Sequence, residues 1–217
     1  MNHAQSLAVF QAADLYVVIT TAFCAGRTAL AVLEKTLAAG VRLVQMREKE
    51  WGGRALYELA REFRQRTAAL GALLIIDDRL DIALASGADG VHLGQEDLPV
   101  SAARIIAPEL IIGASTHSLE QALAAEAAGA SYVNIGPVFA TQTKPDAKPL
   151  GPEALGRITP YLKIPWTTMG GINLANISQV VAEGARHPAV MSAVTAAPDP
   201  RTAAEALRQI ILAGGKK

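Results

Sequence analysis

The stretch Leu84-Ala-Ser-Gly87-Ala-Asp-Gly-Val-His-Leu93 joins the end of an alanine-rich helix to a short apolar strand. The same join recurs as Leu37-Ala-Ala-Gly40-Val-Arg-Leu-Val44, as Ala127-Ala-Gly129-Ala-Ser-Tyr-Val-Asn-Ile135 and as Val181-Ala-Glu-Gly184-Ala-Arg-His-Pro-Ala-Val190. In each copy the glycine follows the last helical turn, where a left-handed residue closes the helix and glycine carries no Cβ penalty. The β-branched and apolar run after it reads as a buried strand.

Extending the pattern predicts strands near Leu15–Thr20, Val41–Met46, Leu73–Ile76, Gly90–Leu93, Leu110–Gly113, Tyr132–Gly136, Trp166–Met169 and Ala189–Ser192. Helices fit between them, among them Ala29–Ala39, Arg54–Leu70, Ser118–Ala128 and Leu174–Glu183, with Ser118 and Gln121 as a capping box. The strands begin about 25 residues apart, the size of a compact strand-plus-helix unit. Eight such alternations predict an α/β chain with a parallel sheet, and eight strands close a (β/α)8 TIM barrel. A doubly wound open sheet is the alternative, but no Gly-x-Gly-x-x-Gly follows the first strand. The expectation is one domain over residues 1–217, with an extra helix over about 1–13 covering the barrel bottom and a frayed tail at about 214–217.

Composition agrees. The chain has 217 residues, of which 51% are hydrophobic and 18% charged, enough for a large buried core and too apolar for disorder. Twenty basic residues balance twenty acidic ones, so no basic excess points to nucleic acid. Cys24 is the only cysteine, which excludes an intramolecular disulfide and a thiolate zinc cluster and suits a reducing compartment. The N-terminal stretch lacks the features of a secretory signal, and no run of 18 apolar residues offers a membrane span. A cytoplasmic location without membrane partners is expected. Self-association is compatible with the sequence.

In barrels of this kind the chemistry sits at the carboxyl ends of the strands. After the second strand, period two puts Val41, Leu43, Gln45, Arg47 and Lys49 on one face, apolar below and cationic above. An amide with two cations over it suits a heterocycle and its phosphates; a solvated loop is the plain alternative. The third strand ends in Asp77-Asp78-Arg79 and the fourth in Gly94-Gln95-Glu96-Asp97. Adjacent strands lie about 4.8 Å apart, so these carboxylates can meet, and with an anionic ligand they suit Mg²⁺. Alternatively, Asp77 or Asp78 caps the helix starting near Leu80. Ser115, Thr116 and His117 follow the fifth strand: the serine is a ligand donor or a helix opener, and a lone histidine is more often structural than catalytic. His92 alternates within its strand as core or support. The long segment after the sixth strand carries Thr141, Thr143 and Lys144, hydroxyl and ammonium donors suited to phosphate. Gly170-Gly171 and the Met191-Ser192 strand end complete a plausible phosphate pocket with main-chain N–H groups, and Asn173 is placed to cap the helix after it.

Taken together, Gln45-Met-Arg-Glu-Lys49, Asp77-Asp-Arg79, Ala88-Asp-Gly-Val-His-Leu-Gly-Gln-Glu-Asp97, Ser115-Thr-His117, Gly136-Pro-Val-Phe139, Thr141-Gln-Thr-Lys144, Gly170-Gly-Ile172 and Ser192 resemble the thiamine phosphate synthase family along almost the whole chain. The resemblance implies a (β/α)8 barrel that joins an aminopyrimidine methyl pyrophosphate to a thiazole phosphate with Mg²⁺, releasing pyrophosphate. It further implies catalytic roles for Arg47, Lys49 and Lys144. Gln45, Met46, Arg47, Glu48, Lys49, Asp77, Ser115 and Lys144 are then expected around the pyrimidine pyrophosphate. Thr141, Gln142, Thr143, Gly171, Met191 and Ser192 are expected around the thiazole phosphate, and Asp78 and Asp97 around Mg²⁺. A thiazole tautomerase of the same barrel type, which has little use for a leaving-group apparatus, and a non-catalytic phospho-ligand binder are the alternatives.

Three positions depart from the family pattern. Asp77 stands where asparagine is usual, so its acid is expected to be protonated, turned away or neutralised by metal. Trp166-Thr-Thr-Met169 is polar for a seventh strand. Arg186-His-Pro188 replaces the usual Asp-Gly, and Pro188 fits only at a strand's start or edge.

Overall fold

The computed structural model describes residues 2–141 and 147–214. Its strands are β1 (Tyr16–Ile19), β2 (Leu43–Met46), β3 (Leu73–Asp77), β4 (Gly90–Leu93), β5 (Ile111–Thr116), β6 (Tyr132–Ile135), β7 (Trp166–Thr168) and β8 (Ala189–Val190). Every pairing is parallel, in the order β7-β6-β5-β4-β3-β2-β1-β8, and a bridge between Thr168 and Pro188 joins the two ends. The sheet is a TIM barrel.

The helices are α1 (His3–Ala12), α2 (Ala29–Ala38), α3 (Gly53–Ala69), α4 (Leu80–Ser86), α5 (Val100–Ile106), α6 (Leu119–Ala127), α7 (Glu153–Ile158), α8 (Ile177–Ala182), α9 (Ser192–Thr195) and α10 (Pro200–Gly214). The four repeat glycines all have positive φ, with Gly87 serving as the left-handed cap of α4. Among the described residues, no helix is long and apolar enough to cross a membrane.

Period two sorts the strand residues into two layers. Val17, Ile19, Val44, Met46, Leu74, Ile76, Val91 and Ile112 face outward into the large layer beneath the helices. Tyr16, Leu43, Leu73, Ile75, Ile111, Tyr132 and Ala189 face inward and form a separate core inside the lower barrel. That core is sealed from below by the extra helix foreseen at the N-terminus. Asn2 and Gln5 cap α1 reciprocally, and Phe10 sits with its ring centroid 4.5 Å from that of Tyr132. Below it His187 bonds the Ala13 carbonyl at 2.7 Å and packs on Phe10.

Several expectations are corrected. Val41 belongs to the outer layer, because β2 begins only at Leu43. β5 runs on to Thr116 because Ser115 and Thr116 pair with Asn134 and Ile135 of β6. β8 stops at Val190, since Ser192 already starts α9. α8 begins at Ile177 instead of Leu174, and Asn173 does not cap it: its side chain bonds Gly171 and Ala175 in a preceding turn. Ser118 does cap α6, but the Gln121 side chain accepts from His117 N–H, so the box is incomplete. The polar seventh strand is satisfied sideways, with Asn134 donating to Thr167 at 2.6 Å and Thr168 donating to the Ile135 carbonyl at 2.8 Å. Pro188 stands just before β8, and its carbonyl accepts from Tyr16 N–H.

Candidate active site

The carboxyl ends of the strands open into a cavity of about 970 Å³. Its floor is neutral and its rim is charged. On the floor, the Gln45 amide N–H donates to the Tyr16 hydroxyl at 2.8 Å, and that hydroxyl lies 3.1 Å from the Tyr132 hydroxyl. Tyr132 in turn meets His92 Nδ1 at 2.9 Å, and His92 Nε2 meets the Ser115 hydroxyl at 2.9 Å. Burial pushes both phenols well up from their ordinary value, so they stay neutral. Gly113 makes room for this arrangement: a Cβ there would overlap the Tyr132 ring.

The rim is built two residues further along the same strands. Arg47 and Lys49 leave the end of β2, and Asp77 ends β3. Asp77 Oδ2 lies 3.4 Å from Arg47 Nε and 3.2 Å from Lys49 Nζ; Lys49 also pairs with Asp78. The Asp77 side chain is only 9% exposed. Burial therefore raises its pKa, against the pull of Lys49 and Arg47. Burial opposes the charge on Lys49 as well, but Asp77 and Asp78 outweigh it and its pKa rises. The acid at 77 is thus neither turned away nor dependent on a metal for a counter-charge: two cations already face it.

Asp78 has φ 56°, a left-handed turn that lets consecutive aspartates leave β3 in different directions. Its backbone N–H bonds the His92 carbonyl, tying it to β4. Neither aspartate caps α4, whose N-cap is Arg79 without a side-chain bond. Asp97 folds back to accept from Gly94 N–H at 2.6 Å. Burial raises the Asp97 pKa, and a hydrogen bond shared with Asp78 raises it further. Two neighbouring carboxyl groups offer hard oxygens to a divalent cation. Among the described residues no cluster of three or more His, Cys, Asp or Glu forms a complete cage. A pair such as this suits Mg²⁺, which binds through one or two carboxylates, water and phosphate.

Across the mouth, Thr141, Gly171, Met191 and Ser192 line the same cavity. Gln142, Thr143 and Lys144, also expected here, lie outside the described residues, as do residues 215–217 of the tail. Two expected side chains point elsewhere. Met46 is buried in the outer layer beneath the helices, on the opposite face of β2 from Gln45. Glu48 accepts from the Thr21 N–H at 2.7 Å and from the Thr21 hydroxyl, and so braces the β1–α2 connection. His117 borders the cavity, with Nδ1 2.5 Å from the Gly136 carbonyl. Tyr16, Tyr132 and Asn134 went unpredicted as site residues. Their inward register on β1 and β6 was the available signal.

Comparison with known proteins is consistent along the chain. A family model described as thiamine monophosphate synthase matches residues 15–194. The thiamine-phosphate synthase of Moorella thermoacetica is 47% identical over 200 residues, covering 91% of this chain and 95% of that one. That of Pyrococcus horikoshii is 48% identical over 182 residues, covering 84% and 88%. Among solved structures, a thiamine phosphate pyrophosphorylase from Pyrococcus furiosus superposes with a TM-score of 0.88 at 40% identity, covering 98% of this chain and 99% of that one.

Proposed function

This chain belongs to the thiamine monophosphate synthase family, enzymes that transfer a pyrimidinylmethyl group, and we propose that it joins 4-amino-2-methyl-5-hydroxymethylpyrimidine pyrophosphate to 4-methyl-5-(2-hydroxyethyl)thiazole phosphate by dissociative loss of pyrophosphate. The observation that carries the proposal is the order of one cavity wall: the Gln45 amide on the floor at the end of β2, with Arg47 and Lys49 on the segment that leaves it. A heterocycle on the floor then holds its diphosphate against two cations.

In this reaction the pyrimidine C–O bond ionises first, and the electron-rich aminopyrimidine ring delocalises the resulting cation. Negative charge accumulates on the departing pyrophosphate, so Arg47 and Lys49, with Lys144, stabilise the ionised state more than the ground state. Asp78 and Asp97 would hold Mg²⁺, which when bound would supply Lewis-acid neutralisation of the leaving group. Lys49 exchanges its Asp78 partner for a pyrophosphate oxygen, while Asp77 remains as its buried counter-charge. The thiazole phosphate sits by Thr141, Gln142, Thr143, Gly171, Met191 and Ser192, and its ring nitrogen attacks with a lone pair. No general base is needed. Holding the two reactants together removes much of the bimolecular entropy cost.

Mixing both substrates with purified protein and Mg²⁺ tests this. Pyrophosphate and thiamine monophosphate should appear together and stop on chelation. Product at an undiminished rate with excess chelator removes the metal from the scheme; no product from the complete mixture removes the proposal.

A further inference from the structure

We infer that Tyr16, Tyr132 and His92 are positioning residues that fix the order in which the two ligand-facing ends of the floor, Gln45 and Ser115, present hydrogen-bond acceptor and donor to the heterocycle. The inference rests on the pyrimidine occupying this floor. It concerns three side chains that face one another inside the barrel, and it follows from counting protons.

Each tyrosine hydroxyl carries one proton, and a neutral imidazole carries one proton on two nitrogens. With the Gln45 amide N–H donating to Tyr16, the Tyr16 proton is left for Tyr132, and the Tyr132 proton for His92 Nδ1. The His92 proton then sits on Nε2 and points at the Ser115 hydroxyl oxygen. Ser115 therefore keeps its own proton for the cavity, and Gln45 keeps its carbonyl oxygen and its second amide N–H; both residues line that space. The order of acceptor and donor across the floor is fixed. Turning one end around requires turning the Gln45 amide, two hydroxyls and the His92 tautomer together, or leaving a buried group unpaired.

A 4-aminopyrimidine fits this polarity, because its amino group donates and its ring nitrogens accept. A 4-oxopyrimidine presents the reverse, an accepting oxygen and a donating ring N–H. The floor is built to hold the relay in place. Tyr16 and Tyr132 are fully buried, and a Cβ at Gly113 would displace the Tyr132 ring.

The test is calorimetric binding of 4-amino-2-methyl-5-hydroxymethylpyrimidine pyrophosphate, its 4-oxo analogue and the thiazole phosphate to the full chain with Mg²⁺. The wild type should prefer the amino compound by about 100-fold or more, since sites built to hydrogen-bond reject mismatched ligands strongly. Tyr132→Phe keeps the ring and breaks the relay at its centre. It should cut that preference about tenfold, the scale of one lost bond, with thiazole phosphate affinity unchanged within twofold. Tyr16→Phe breaks the relay nearer Gln45 and should behave alike, which covers the case of one variant failing to fold. Preference unchanged in both variants overturns the relay. Equal weakening of all three ligands overturns it too, because that marks a merely structural role. A wild type that binds neither pyrimidine instead overturns the function proposed above.

Discussion

Gln45 near the end of β2 and Arg47 just past it are two residues apart and face the same cavity, yet they belong to different physical regimes. The floor around Gln45 is neutral, buried and paired group to group across β1, β2, β4, β5 and β6. The rim around Arg47 is charged and partly open, with Asp77, Asp78, Asp97 and Lys49 sharing partners. A floor of neutral bonds keeps one geometry, because each lost partner strands a buried polar group at about 1–3 kcal/mol. The rim can trade one oxygen for another at little net cost, which is what a site that takes up and releases a diphosphate requires.

The contrast is broken most severely at the rim. Asp97→Asn removes one of two adjacent anionic oxygens, and steady-state turnover at fixed Mg²⁺ should fall about 100-fold, in line with the several kcal/mol a positioned cation supplies. Raising Mg²⁺ should recover part of it. Gly113→Ala attacks the floor instead. Its new methyl meets the Tyr132 ring, and urea unfolding should show a loss of about 1–3 kcal/mol, the usual range for overpacking.

Asp77→Asn sharpens the comparison through pH. The folded pKa of Asp77 is raised by burial, so folding disfavours its ionisation relative to the unfolded chain. Below the unfolded value of about 3.9 both states are protonated and the substitution should be neutral. As pH rises through the folded pKa, the wild type loses stability that the amide retains. The variant's Tm should therefore exceed wild type by about 2–4 °C per kcal/mol of relieved desolvation near pH 7, with no gain near pH 3. Pyrophosphate-substrate affinity should be retained or improved; a large loss would give the acid a function of its own. The smallest effect belongs to Met46→Leu, a swap beneath the helices that should cost less than about 1.5 kcal/mol by chemical denaturation.

Some of this site was legible in the sequence. Period two carried on past β2 put Gln45, Arg47 and Lys49 on the cavity side, and the same rule on β4 marked His92 as a supporting residue. The rule also separates Met46 from Gln45, but motif resemblance grouped them, and the structure sides with the period. Glu48 looked like part of a charged loop aimed at substrate because its partner, Thr21, lies 27 residues earlier and nothing local announces the bond. Asp77 and Asp78 looked like helix caps because aspartate before a helix usually is one; the left-handed turn at Asp78 redirects them.

Local chemistry alone was enough to specify the barrel. Glycine at the helix ends and alternation along the strands act within a few residues, and a short window of sequence contains both. Which polar groups became partners depended on closure of the sheet. Tyr16 and Tyr132 lie 116 residues apart and touch only because curling eight strands into a ring turns their side chains toward a shared axis. Hydrogen bonds reach about 3 Å, and spacing along the chain carries no record of distance across a barrel.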